Sequence, residues 1–252
     1  MRKSLAALYS ALVYVLFLGV FLYAIGFVES ALVPKSIDSG ASGSVAGSLL
    51  IDAGLLVLFA VQHSVMARPG FKRLWTRLVP ADVERSTFVL FASLALALLC
   101  WQWRPLPQPV WSIENPIAAG MLFVVSWSGW GLVLLSTFLI SHFQLFGLSQ
   151  GLARLRGNKP AEPEFVTPFL YRWLRHPIYA GFILAFWAAP HMSLGHFLFA
   201  AATTGYIFVG IWFEERDLIA YFGDRYRQYR ATVGMLVPRI RLTSARKRVA
   251  QQ

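Results

Sequence analysis

The sequence predicts an all-α, polytopic membrane helical bundle of five to six spans with amphipathic cytoplasmic helices at its C-terminal end, and three observations carry that prediction. Hydrophobic residues make up 57% of the 252 and charged residues only 14%, with a mean hydropathy of +0.56. That leaves too little polar surface to coat a water-soluble globule of this length. The apolar residues gather into six stretches, at roughly 5–28, 45–67, 87–103, 117–140, 178–194 and 196–213, the last two short for spans. The basic residues fall in alternate loops: of the 23 Lys and Arg, all but Lys35 and Arg104 lie at Arg2 and Lys3, between Arg68 and Arg85, between Arg154 and Arg175, or from Arg216 onward. The positive-inside tendency then puts both termini and the two basic loops in the cytoplasm, as in an inner-membrane protein of a bacterium. A net charge of +11 would suggest nucleic acid in a soluble chain; here its one-sided distribution points to the lipid bilayer and to no nucleic-acid partner.

The first stretch begins behind Arg2 and Lys3 like a signal peptide, yet runs past 20 residues with no small-residue cleavage pattern, and reads as a retained anchor. The second holds Asp52, Gln62, His63 and Ser64 in apolar surroundings, and polar groups inside a span face a bundle interior or a cavity. Asp52 and His63 are three turns apart on one face, ~16 Å along the axis. His63 is near the cytoplasmic end, whereas Asp52 lies toward the outer leaflet and reads as a packing or gating group bonded to another span. The one cysteine, Cys100, is in the third stretch, so the chain has no disulfide framework and no cysteine-based metal motif. Trp101, Trp103 and Trp111 read as an interfacial belt. In the fourth stretch Ser126 to Gly131 offers small residues for close helix packing, and His142 and Gln144 follow at its cytoplasmic end.

A loop from Gln150 to Pro168, rich in Gly, Pro and charge, leads to a short amphipathic segment and then to RHPIYAG, Arg175 to Gly181. Pro177 suits the first turn of the next helix, whose N-terminal amides would favour an anionic group beside Arg175 and His176, such as the carboxylate of an amino-acid-like ligand. An out-and-back apolar hairpin returns to one membrane face, so His176 is expected beside Glu214 and Glu215. Either glutamate could hold an ammonium or ribose hydroxyls. The tail EERDLIAYFGDRYRQYRATV reads as an amphipathic helix interrupted near Gly223. Its Tyr221, Tyr226 and Tyr229 could pack an adenine or a sulfonium methyl, or the helix could simply lie on anionic headgroups. His191 and His196 flank the turn after Pro190 and read as interfacial and inert. With no GxGxxG and no phosphate loop, a soluble Rossmann-type methyltransferase or dehydrogenase is disfavoured.

RHPIYAG, a helical hairpin and EERDLIAYFGDRYRQYRATVGMLVPRI together resemble the isoprenylcysteine carboxyl methyltransferase superfamily of integral membrane methyltransferases, whose C-terminal half binds S-adenosyl-L-methionine. VQHSVMARPGFKRLW, ERSTFVLFASLAL, WQWRPLPQPVW and SHFQLFGL resemble its methanethiol S-methyltransferase branch, and also NnrU-type membrane proteins. The resemblance implies methyl transfer from S-adenosylmethionine to methanethiol, giving dimethyl sulfide and S-adenosylhomocysteine. It matches Arg175, His176, Tyr179 and Gly181 to the first cofactor motif and Glu214 and Glu215 to the second. In residue terms Arg175 or His176 would meet the cofactor carboxylate, either glutamate its ammonium, and Gly181 would let the cofactor approach the helix backbone. The chain divides accordingly into an acceptor side, 1–148, and a cofactor half, 168–241, within one membrane domain.

Methyl transfer between sulfurs rests on positioning, desolvation and deprotonation of the thiol. His63 and His142, paired with each other or with Gln62 or Gln144, could accept the thiol proton or hold the thiolate. Direct thiolate binding under the sulfonium charge is the alternative, as is an imidazole that merely satisfies an interhelical hydrogen bond. Two further function classes stand beside this one. The first is a membrane methyltransferase for a lipid or isoprenoid thiol; the second is a non-catalytic or haem-binding NnrU-like protein with two histidines as axial ligands.

Overall fold

The structure, a computed structural model, describes residues 3–41, 43–157 and 164–239. Arg2, Lys159 in the second basic loop, the basic tail beyond 239 and the last two residues of the expected cofactor half lie outside them. In chain order the elements are α1 (Lys3–Val28), α2 (Val45–Ala67), α3 (Pro69–Trp75), α4 (Ala81–Gln102), β1 (Pro109–Ser112), α5 (Pro116–Ile140), α6 (His142–Leu145) and α7 (Leu148–Leu155). A single 3-10 turn (Phe169–Arg172), α8 (Pro177–Trp187), β2 (His191–Ser193), α9 (Leu194–Phe222) and α10 (Asp224–Thr232) follow. Five helices, α1, α2, α4, α5 and α9, are long and apolar enough to cross a membrane. The protein is an integral membrane helical bundle.

Helices are the available solution because hydrocarbon offers the backbone no hydrogen-bond partners. Their ends are fixed locally. Ser44 Oγ accepts from Gly47 N (3.2 Å) at the start of α2, and Asn115 Oδ1 accepts from Ile117 N and Ala118 N (3.0 Å each) at the start of α5, with Pro116 in its first turn. Ser193 Oγ caps α9 by accepting from His196 N (3.0 Å).

The fifth apolar stretch is shorter than expected. α8 has 11 residues and rises ~16 Å, about half a hydrocarbon core. It ends at Trp187 because Pro190 cannot donate a helical hydrogen bond. The chain then runs extended, and β2 pairs antiparallel with β1 in the register Pro109↔Ser193, Trp111↔Met192, Ser112↔His191. This ribbon is the one sheet among the described residues. α9 compensates with 29 residues, running through Glu214, Glu215 and Asp217 until Gly223, at φ +59°, turns the chain into α10. The expected break near Gly223 and the hairpin's return to its starting level are both present.

Two packing features position the rest. α5 and α8 touch backbone to backbone: a Cβ on Gly181 would stand 2.6 Å from Gly129 O, and one on Gly129 would stand 2.6 Å from Gly181 O. Gly181 is thus turned toward α5, a helix-packing role instead of the expected approach by a cofactor. At the ribbon end Trp103 is fully buried and donates from Nε1 to Ile37 O (3.1 Å), so it is core and not part of an interfacial belt; Trp101 is exposed. A tryptophan just past a helix end can turn back under the loops, which charge patterning does not reveal. Asp52, fully buried, accepts from Arg104 N (2.8 Å) and ties α2 to the end of α4. His196 is buried one turn into α9, whereas His191 sits in the exposed ribbon with Nδ1 2.8 Å from Ser112 Oγ.

Adding a methyl at the α5–α8 contact forces the helices apart at a cost of about 1–3 kcal/mol. Gly181→Ala and Gly129→Ala should each lower the thermal unfolding midpoint in detergent. Gly131→Ala, where a Cβ meets nothing within 4 Å, should leave it unchanged.

Candidate active site

The hairpin brings its two ends together at the basic end of the bundle around one carboxylate. Glu215, on α9 and 6% exposed, takes Arg175 Nε on Oε1 (2.7 Å) and Arg230 Nε on Oε2 (3.0 Å), with His176 Nε2 3.2 Å from Oε1. Arg175 also donates from a terminal nitrogen to Val233 O (2.6 Å) and Arg230 O (3.2 Å). The backbone reinforces the knot: Arg175 N donates to Gly234 O (2.8 Å) and His176 N to Met235 O (3.1 Å). Three segments, the loop before α8, the end of α9 and α10 with the residues after it, therefore meet at Glu215. Arg230, which the sequence pattern did not single out, is the second arginine of this cluster.

Glu214 has a different environment. Adjacent residues on a helix point about 100° apart, and Glu214 faces α8, where its Oε2 accepts from the Tyr179 hydroxyl (2.9 Å) with His176 Nδ1 3.8 Å away. Its side chain is 44% exposed against 7% for Glu215, whose oxygens are bonded to side chains of the protein and which lines, with Trp212 and Arg230, a cavity of about 270 Å³. His176 is buried and stacks on Tyr179 with ring centroids 5.6 Å apart. It occupies the N-cap position of α8 without capping it by side chain, so the first amides of α8 stay open beside it.

The aromatic residues of the tail divide. Tyr221 is exposed, whereas Tyr226 is 2% exposed and packs with Phe165 and Tyr229. Tyr229 donates to Tyr171 O (2.6 Å), tying α10 to the 3-10 turn. Burial pushes the Tyr229 hydroxyl up to about 12 and raises those of Tyr171 and Tyr226, so all three stay protonated donors across the physiological range.

The residues expected on the acceptor side fall into two neighbourhoods. His63, on α2, stacks on Phe59 (centroids 5.5 Å) and meets the rings of Phe88 (4.9 Å) and Tyr206 (6.3 Å). Its Nδ1 is buried without a hydrogen-bond partner, and so is Oε1 of Gln62, whose amide donates to Met66 Sδ (3.1 Å). Next to it Ser64 donates to the Tyr206 hydroxyl (3.3 Å), and Arg68 pairs with Asp217 (3.1 Å), which docks α2 on α9. A cavity of about 120 Å³ between α2 and α9 ends on Phe59 and Tyr206. His142 sits elsewhere. Nε2 is 2.8 Å from the Tyr14 hydroxyl and Nδ1 is 2.8 Å from Thr137 Oγ1, and the ring stacks on Phe138 (4.2 Å); burial holds it below the ordinary histidine value. Both nitrogens are thus engaged, and no ring neighbour is shared with His63. Gln144 carries a backbone carbonyl that accepts from Gln150 Nε2 (3.2 Å). Tyr206 was not foreseen, although a tyrosine two turns before Glu214 inside an apolar span is a readable signal.

Comparison with known proteins places the chain in a family. The chain is 57% identical over 236 residues to methanethiol S-methyltransferase 1 of Bradyrhizobium diazoefficiens, covering 94% of this chain and 83% of the relative. It is 51% identical over 238 residues to methanethiol S-methyltransferase of Mycobacterium tuberculosis, covering 94% and 98%. The chain belongs to the methanethiol S-methyltransferase family. A more distant similarity, 30% over 187 residues with 69% and 70% covered, relates this family member to Nurim of Homo sapiens. No family model matches the chain, and no solved structure does.

Removing a partner from a buried ion pair costs about 3–5 kcal/mol. Glu215→Ala should therefore strongly destabilise the basic end, read as a lowered unfolding midpoint and faster proteolysis after Arg172 or Arg230. Glu214→Gln, at the exposed neighbour, should unfold at the wild-type temperature.

Proposed function

We propose that this protein is an S-adenosylmethionine-dependent methyltransferase that converts methanethiol to dimethyl sulfide in the membrane. The observation that carries the cofactor reading is the pairing, across one hairpin, of a half-exposed carboxylate with an open helix N-terminus: Glu214 on α9 faces the uncapped start of α8 beside buried His176. An α-amino acid carries an ammonium and a carboxylate on one carbon, and these two groups complement it. The donor set therefore fits the amino-acid part of the cofactor. Glu214 would hold the ammonium, and the first amides of α8 with His176 the carboxylate. Tyr179 orients Glu214. Arg175 and Glu215 act one step back by fixing His176 and α10, since their polar atoms are already bonded to each other and to the backbone. When bound, the cofactor supplies a methyl group on a sulfonium sulfur. The chain's own contribution is to place that group and to exclude water from it.

The acceptor is supported by the family. The relatives at 57% and 51% identity are named for methanethiol, and a two-heavy-atom apolar thiol suits the apolar surroundings of His63. His63 is level with the α9 segment around Tyr206 to Phe213, because Ser64 touches Tyr206 and the Arg68 guanidinium lies 4.7 Å over the Phe213 ring. That depth is about two turns or less from Glu214, ~10 Å, within reach of one nucleoside-sized ligand. The acceptor side is residues 1–148 and the cofactor half begins at 168, with His63 Nδ1 a buried imidazole nitrogen that has no hydrogen-bond partner. The alternate-loop charge pattern supports an inner-membrane protein with both termini and the cofactor pocket on the cytoplasmic side. The engaged nitrogens of His142 disfavour its use as a haem ligand or base.

Purified protein given S-adenosylmethionine and methanethiol should release dimethyl sulfide into the headspace at a rate that depends on both, measured by gas chromatography. Cofactor binding without product would redirect the acceptor assignment to lipid or isoprenoid thiols. Glu214→Gln and His176→Ala should each weaken S-adenosylmethionine binding by about 10- to 100-fold, the worth of one charge-assisted hydrogen bond. Wild-type affinity in both variants would remove this pocket as the cofactor site.

A further inference from the structure

Arg85 has no role in the sites described so far, and its placement is unusual. It lies in the first turns of α4 at the basic end and is partly buried. Nε donates to Leu145 O (2.7 Å), and the guanidinium lies 4.8 Å over the ring of Phe88, which is 4% exposed. Among the described residues it forms no salt bridge, and the opposite charge acting on it is that of the adjacent Glu84. A guanidinium drawn into a helical bundle without a hydrogen-bonded carboxylate leaves donors that an anion could take. The same Phe88 ring is the neighbour of His63, at 4.9 Å, on the opposing helix. There Nδ1 of His63 and Oε1 of Gln62 are buried with no partner. A guanidinium without a salt bridge and an imidazole nitrogen without a hydrogen-bond partner thus lie against one aromatic ring, and two further neighbours of His63, Phe59 and Tyr206, line the cavity between α2 and α9.

We propose that Arg85 is an acceptor-site residue whose guanidinium favours the small thiol as its thiolate beside His63. The inference rests on the methanethiol reading above. In this step the S–H bond breaks, its electron pair stays on sulfur, and the proton forms an N–H bond at His63 Nδ1 before leaving to water. The guanidinium compensates the new negative charge, as an opposite charge within a few ångströms lowers an acid's pKa by about 1–3 units. Arg suits this place because it stays charged where a lysine would readily lose its proton. The aromatic walls exclude water, so the thiolate sulfur is left poorly solvated and nucleophilic.

The test uses the full-length protein in detergent. Methanethiol binding to the S-adenosylhomocysteine complex is followed by calorimetry from about pH 6 to 9, in two buffers that differ in ionisation enthalpy so that released protons are counted. Dimethyl sulfide formation is measured in parallel. Wild-type protein should bind methanethiol with proton release. Arg85→Gln should move the pH dependence of that binding upward by about one unit and raise KM about tenfold at pH 7, with S-adenosylhomocysteine affinity unchanged. Arg85→Lys should recover part of the shift. Three results would overturn the inference: an unshifted pH profile in Arg85→Gln, loss of S-adenosylhomocysteine affinity (which would put Arg85 at the cofactor), or no methanethiol binding with proton release in the wild type. Methanethiol binding of the expected kind without dimethyl sulfide would instead refute the methyl-transfer reading and leave this site standing.

Discussion

The carboxylate of Glu215 is the constraint around which the basic end of this protein is organised. A buried carboxylate is tolerated only when its charge is met and its lone pairs are hydrogen-bonded, and Glu215 has the arginines Arg175 and Arg230 at 2.7 and 3.0 Å and the His176 imidazole at 3.2 Å. Those residues come from segments far apart in the chain, so satisfying one charge fixes the start of α8, the end of α9 and α10 relative to one another. The backbone bonds of Arg175 and His176 to Gly234 and Met235 then follow at little further entropic loss. What remains unfixed is informative. Glu214, one residue earlier, is pointed by the helix at Tyr179 and keeps its exposure. The structural carboxylate and the available one are neighbours in sequence because a helix sends neighbours to different faces.

At the opposite end the constraint is the backbone itself. α8 is too short to cross a bilayer, and the chain must return through residues 188–193 without leaving amides and carbonyls unpaired in an apolar setting. The ribbon with β1 resolves this, and Leu194 N and Gly195 N continue the pairing by donating to Gln108 O (2.8 Å) and Leu106 O (3.1 Å). Buried Trp103 and Leu106 roof the same region. The two ends of the hairpin are thus held by unlike means, a charge cluster at one end and backbone pairing at the other. The helices between them can be lined with ligand-facing groups without being needed for closure.

Periodicity and charge made much of this legible. Five long helices, the hairpin that returns His176 to the two glutamates, the interruption at Gly223 and the small-residue contact in SWSGWG all follow from segment length, glycine and apolar patterning. The illegible parts share one cause, since each depends on the rotational phase of a helix or on a loop folding back. Which glutamate is enclosed, that Gly181 faces Gly129 instead of the pocket, and that His142 has Tyr14 and Thr137 on its two nitrogens are all matters of a side chain's azimuth. Trp103 and the β1–β2 ribbon depend on loops that composition does not fold. Arg85 was counted as one more basic loop residue; only its stacking on buried Phe88 separates it from the headgroup-facing arginines.

The two histidines show why the distinction matters for the proposed chemistry. An imidazole with a hydroxyl on each nitrogen is held in place, and accepting a further proton requires the hydroxyl that donates to it to turn round and accept; His142 is in that position between Tyr14 and Thr137. His63 carries the opposite arrangement, walled by Phe59, Phe88 and Tyr206 with Nδ1 unpaired. A buried unpaired acceptor is destabilising by roughly 1–3 kcal/mol, which a bundle has no packing reason to retain. A thiol proton would satisfy that nitrogen, and the charge left on sulfur would satisfy Arg85. On this view neither the protein base nor the cation is sufficient alone, because a lone imidazole in an apolar wall resists becoming charged and a lone guanidinium provides nowhere for the proton to go. The acceptor site is then a pair of opposite deficits set against one aromatic ring, completed only by a small acid whose conjugate base is soft and weakly hydrated.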